Sequence, residues 1–171
     1  VFEGVMDVLP GGARLYAKAS AENLAGSSDV VQTQPKLLVG EPSEPRSVTI
    51  SQSASLSDDA ISKTKFSISW AAPQDYGDKR HPSDALRVVL VGYRLSMTCA
   101  DGEEVFVDVK ATITSLNLDA IWRGDNFDLM DRKTQLMTCR KGDTLSVQIR
   151  ASNSFFSGAF SNSTSLDAMG L

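Results

Sequence analysis

The chain predicts an all-β fold of antiparallel sandwiches, one complete and one partial, and three observations carry that expectation. Apolar and polar residues alternate at period two, most regularly where Leu145, Val147, Ile149 and Ala151 alternate with Ser146, Gln148 and Arg150. Clusters of turn residues separate such runs at short intervals. One stretch also recurs. "LYAKASAENLAGSS" at 15–28 returns 130 positions later within "LSVQIRASNSFFSGAFS" at 145–161, each starting at Leu, alternating, reaching Ala-x-Asn and turning through a glycine.

In chain order, residues 1–38 supply about three strands, too few to bury a stable core. "VGEPSEPRS" at 39–47 contains two prolines, which remove backbone donors and favour extended backbone. A connector over 39–45 therefore divides 1–38 from a second unit, 46–171. Within that unit Phe66, Ile68 and Trp70 alternate with Ser67 and Ser69 until "AAP" stops the strand. In "RVVLVGYRLSMTC", Val89, Val91, Tyr93, Leu95, Met97 and Cys99 fall on one face, and Leu90, Gly92, Arg94, Ser96 and Thr98 on the other. Val105, Val107 and Val109 resume the pattern after "ADGE", giving a hairpin. Helical spacing arises only around Leu116–Phe127 or Phe127–Met137, without convincing caps.

The 171 residues, 42% of them hydrophobic, suffice for one generous core or one and a half ordinary ones. A net charge of −4 and a pI near 5.0 argue against a nucleic-acid binder, which carries a basic stripe. No apolar run reaches the roughly 18–20 residues that span a bilayer, so no membrane insertion is expected within this segment. No basic-then-apolar leader is present; the chain starts at Val1, and the sequence leaves open what precedes it. Serine and threonine are scattered among Val and Leu, as on a solvated β-surface. Cys99 and Cys139 fit one disulfide in an oxidising compartment and fit two buried thiols almost as well. Two cysteines and a single histidine, His81, are too few for a structural zinc site, and no cofactor is expected.

The order of segments resembles a fibronectin type III domain. "PSEPRSVTI" resembles the proline-led start of strand A, "FSISWAAP" strand B with its core tryptophan (Trp70), and "VGYRLSMT" strand C with Tyr93 at the aromatic position. "GDTLSVQIRASNSFFSGAFS" resembles strand F, the F–G loop and the start of G, with Ala151 and Asn153 at the family's Ala-x-Asn. The resemblance covers nearly all of residues 42–166. Residues 1–35 match only the end of such a domain, from the E–F corner through strand G. Two departures stand out. The tyrosine usual at the E–F corner is replaced by Leu15 and Leu145, with Tyr16 one position later and pointing outward. The unit is also stretched, by "QDYGDKRHPSDALR" between B and C and "WRGDNFDLMDRKTQLMTCRK" between E and F, loops of a length usually functional or disordered.

A Cys99–Cys139 bridge would tether the E–F insertion to the sandwich. Arg123-Gly124-Asp125 matches an adhesion tripeptide, although an ordinary turn is the simpler reading, since Trp122 and Phe127 beside it should pack down. Asn162-Ser163-Thr164 is a glycosylation sequon. Phe155 and Phe156, with Phe160 nearby, form an aromatic F–G loop absent from the first copy, a candidate contact with a neighbouring domain or chain. Enzyme chemistry finds little support. His81 lies among Asp75, Asp78 and Asp84 without a nucleophile placed beside it, and the pairs Asp58-Asp59 and Glu103-Glu104 would point to opposite sides if extended. "DNFD" at 125–128 lacks the acidic ladder of a calcium loop. The resemblance implies a non-enzymatic structural or adhesive module of a larger extracellular or cell-surface protein, with other protein domains, in the same chain or neighbouring chains, as partners. The alternatives are a ligand-binding receptor ectodomain using its B–C and F–G loops, or an accessory module of a secreted carbohydrate-active enzyme.

Overall fold

Strand alternation becomes burial most cleanly in the run 144–153, where every second side chain is inside. Leu145, Val147, Ile149 and Ala151 are fully buried, while Ser146, Gln148 and Arg150 face the other way and are half-buried. The structure is a computed structural model that describes residues 13–34, 36–55, 63–78, 88–100 and 102–168. His81, Asp84, Asp58 and Asp59, the first twelve residues and 79–87 of the B–C insertion lie outside the described residues.

The second unit is a two-sheet sandwich. One sheet has the order β13-β12-β11-β8-β7 and the other β10-β9-β14-β15. Strands β7 (Arg46–Ser55), β8 (Lys63–Ala71) and β11 (Ser115–Arg123) occupy the A, B and E positions. Strands β9 (Leu90–Cys99), β10 (Val105–Lys110), β14 (Thr144–Asn153) and β15 (Thr164–Asp167) form the C′-C-F-G layer. Trp70 meets Tyr93 of the opposite sheet edge to face at 5.5 Å, and Phe66 stacks at 5.8 Å on Phe127, two strands away in its own sheet. Val89 and Val91 share the parity of Tyr93 but are 65% and 54% exposed, because a register shift opposite Ser152 and Asn153 leaves Val91 as the extra residue of a bulge, and Leu90, expected on the other face, packs against the core instead.

The segment between E and F departs from the sequence reading. It is neither a loop nor helical; it forms two further strands, β12 (Asn126–Asp131) and β13 (Thr134–Arg140), which widen the A-B-E sheet. Phe127 and Leu129 alternate inward and are fully buried, and a register shift between Leu129 and Met130 then breaks the alternation. That break accounts for the helix-like spacing of the apolar residues. Trp122 pairs with Phe127 across the β11–β12 hairpin, ring centroids 4.6 Å apart, and its indole N–H donates to Thr64 Oγ1 (2.8 Å).

Residues 13–38 form one long antiparallel hairpin of short paired segments: β1 (Arg14–Leu15) with β6 (Lys36–Leu37), β2 (Lys18–Ala19) with β5 (Val31–Gln32), and β3 (Glu22–Asn23) with β4 (Gly26–Ser27). Its register is that of the β14–β15 hairpin shifted by 130 residues. Leu15 faces Lys36 as Leu145 faces Leu166, and Arg14 faces Leu37 as Thr144 faces Asp167. The Leu38 N–H donates to Ala13 O as Ala168 does to Asp143 O, and Ser28 to Ala21 O as Gly158 to Ala151 O. Glu22 faces Ser27 as Ser152 faces Ser157. The side chains fare differently. Leu15 is 43% exposed where Leu145 is buried, and Ala17, Ala19 and Ala21 are exposed where Val147, Ile149 and Ala151 are buried. The hairpin has the register of the β14–β15 pair, but among the described residues no second layer covers it.

Candidate functional site: the connector end and the outer sheet face

The Ala-x-Asn motif acquires a physical role at the end of β14. Asn153, 4% exposed, accepts the Phe155 and Phe156 N–H groups on Oδ1 (2.9 and 2.8 Å) and donates from Nδ2 to Gly40 O and Tyr76 O, both at 2.9 Å. One buried amide thus joins the F–G loop, the B–C loop and the connector. In the first copy Asn23 Oδ1 accepts the Ala25 N–H (2.8 Å), repeating the local half of the motif, but Asn23 is exposed.

The connector is built into the sandwich rather than strung beside it. The Gly40 N–H donates to Gly77 O (2.7 Å), the Ser43 N–H donates to Asp75 O (2.9 Å), and the Asp75 N–H returns a bond to Ser43 Oγ (3.1 Å). Pro42 and Pro45 are buried. Two glycines permit this approach: a Cβ on Gly158 would stand 2.2 Å from Pro42 O, and one on Gly77, at φ +102°, 2.2 Å from Gly40 O. Phe155 and Phe156 project beside this junction, 68% and 46% exposed. They sit in the Asn153-capped turn and not in a strand, so the expectation of opposite-facing strand positions does not apply. Phe160 is separate from them and lies under the Arg150 guanidinium at 4.8 Å.

Arg150 belongs to the outer face of the C′-C-F layer, where it stands directly across from Arg94. Arg94 grips Asp108 with two hydrogen bonds, from Nε (2.7 Å) and a terminal nitrogen (2.8 Å), and its Cζ lies 5.8 Å from the Phe106 ring centre. The hydrogen bond from Arg94 holds the Asp108 carboxyl below its ordinary range, and the fields of Arg94 and Arg150 act in the same direction. The pair is solvated, which limits its contribution to stability. A shallow groove of about 410 Å³ runs over this face, lined among others by Arg94, Asp108, Lys110, Arg150, Ser152 and Ser157. Nothing in the sequence marked it, because its side chains come from three strands.

The remaining candidate residues are dispersed. Cys99 and Cys139, 4% and 1% exposed, are bridged with Cα atoms 5.7 Å apart, joining β9 of one sheet to β13 of the other. Arg123, Gly124 and Asp125 occupy the tip of the β11–β12 hairpin and are exposed; Gly124 (φ +67°) takes the first position of the two-residue turn. Trp122 and Phe127 pack inward, whereas the tripeptide itself stands clear, with Arg123 Nε 3.1 Å from Asp128 Oδ2. Asn162 is exposed just before β15. Among the described residues there is no cluster of three or more His, Cys, Asp or Glu side chains able to hold a metal, and no helix long and apolar enough to cross a membrane.

The sheet order defines the class: a fibronectin type III-like β-sandwich, widened by one hairpin. No family model matches the chain, and no curated protein matches it. Among solved structures, one described as a myokine structure aligns over 76% of this chain and 100% of its own, at 14% identity and a TM-score of 0.44. The FN1–FN3 domains of chicken CNTN1 align over 95% of this chain at 15% identity and a TM-score of 0.46. The chain spans 44% of that structure's length.

Proposed function

We propose that this chain is a non-enzymatic structural and adhesive module of a multidomain extracellular or cell-surface protein, working through protein–protein contacts. The observation that carries the reading is the hairpin of residues 13–38, which repeats the register of the β14–β15 hairpin and joins the sandwich through a connector fixed by hydrogen bonds. On this reading the hairpin is the end of a preceding sandwich, and the bound connector holds neighbouring domains in a set relation, as a rod or spacer requires. Phe155 and Phe156 are the contact residues beside that junction, available to the neighbouring domain. The bridge buried between Cys99 and Cys139 supports an oxidising compartment.

A binding screen of the immobilised chain against extracellular protein domains and against polysaccharides tests the function. Saturable binding to protein domains, weakened by Phe155→Ser with Phe156→Ser, is expected. Saturable polysaccharide binding without a protein partner would transfer the chain to the accessory-module class.

A further inference from the structure

The outer face of the C′-C-F layer concentrates positive charge in a chain whose net charge is −4. Arg94 and Arg150 are direct cross-strand partners, an arrangement that repels, and Lys110 lines the same groove. The one carboxylate among the groove-lining residues is Asp108, and both of its oxygens are taken by Arg94. Arg150 is left with a different set of contacts. Its guanidinium lies over Phe160, its Nε is buried without a hydrogen-bond partner, and no carboxylate pairs with it among the described residues. A stacked arginine has lost much of its conformational freedom already, so binding an anion costs it less ordering than a free surface arginine would pay.

From this geometry we propose that the groove binds an acidic peptide segment in extended form, with a carboxylate of the peptide taken by Arg150 and a second negative group by Lys110. The guanidinium fork matches a carboxylate, as Arg94 with Asp108 demonstrates on the same surface. The flanks favour a peptide over an anionic glycan: Phe106 (50% exposed) and Val91 (54% exposed) offer apolar contact to side chains neighbouring the acidic residue. The groove lies within the second sandwich and does not depend on the existence of a preceding one.

The test is a fluorescence-anisotropy titration of the whole chain with a labelled peptide alternating leucine and glutamate. Its glutamine counterpart and a heparin-derived oligosaccharide serve as comparison probes. Saturable binding of the glutamate peptide is expected, weakening with added salt and absent for the glutamine peptide. Arg150→Gln should weaken it about tenfold or more, the equivalent of one charge-assisted contact. Arg150→Lys should also weaken it, since charge without the fork does not suffice. Lys110→Gln, an exposed position that the fold does not need, supplies the test if Arg150 variants unfold, and should lower both affinity and salt dependence. Absence of saturable binding, wild-type affinity in folded Arg150→Gln and Lys110→Gln, or tighter binding of the oligosaccharide than of the peptide would each overturn the proposal.

Discussion

Two replacements of Asn153 distinguish its roles: alanine removes acceptor and donor together, and near-isosteric aspartate removes the donor alone. Asn153→Ala deletes four hydrogen bonds at a site 4% exposed. A typical net value is about 1 kcal/mol per bond, and the bonds share one side chain, so a loss of about 2–4 kcal/mol is expected. For a sandwich of this size that lowers Tm by roughly 10 °C. Asn153→Asp keeps the acceptor facing Phe155 and Phe156 but turns an oxygen toward the Gly40 and Tyr76 carbonyls, where the amide donated. The expectation is therefore that aspartate, despite its shape, is at least as damaging as alanine at neutral pH. Thermal unfolding followed by circular dichroism measures both. Asn153→Asp within about 1 kcal/mol of the wild type would show that the bonds to the connector and B–C loop contribute little, and the idea of a fixed connector would fail.

The remaining expectations are more local. Replacing both cysteines with alanine should cost about 4 kcal/mol, the chain-entropy value for a bridge spanning a separation of 40 residues; two alkylatable thiols in unreduced, oxidised native protein would show that no bridge forms. Gly158→Ala should cost about 1–3 kcal/mol in chemical denaturation, because its Cβ would collide with Pro42 O; an unchanged midpoint would mean that the connector is free to move away. Burial first, and then Tyr76, raise the Tyr93 phenol above the ordinary 10.0. A raised acid of this kind contributes stability that is present below pH 10 and is lost as pH rises through the folded-state value. Ultraviolet titration should accordingly show one of the three tyrosines ionising last, together with alkaline unfolding; early ionisation of all three would contradict its burial. Secreted from a glycosylating host, the chain should shed mass on treatment with peptide N-glycosidase, and Asn162→Gln should abolish that shift; an unmodified wild-type chain would remove Asn162 as a glycan site.

The sequence made some of this visible because certain features are local. The β14 face follows from alternation alone, and the 130-residue recurrence foreshadowed a matched register because Leu, Ala-x-Asn and the turn keep their spacing in both copies. Asn153 was recognisable as a motif, but its work was not: its partners Gly40 and Tyr76 lie 113 and 77 residues away. The β12–β13 hairpin was hidden by the shift at Leu129 and Met130, which imitates helical spacing. Arg94, Asp108 and Arg150 were unreadable as a group, since their adjacency depends on the registers of three strands. Exposure was equally out of reach. Leu15 and Leu145 hold the same place in the same pattern, and what separates them among the described residues is the opposing layer that only Leu145 meets.

We propose that residues 13–38 belong to a unit whose covering layer lies outside the described residues, whereas the sandwich of residues 46–168, with the connector bound to it, carries its own core. Hydrogen exchange on the 171-residue chain as a monomer distinguishes the two parts. Strong protection is expected for β8, β9, β11 and β14, with amides of residues 13–33 exchanging at rates close to those of an unstructured chain, because a two-stranded hairpin that no other described strand covers is marginal in water. Strong protection of residues 13–33 in that monomer would contradict it, showing that the hairpin is stable without any further strands.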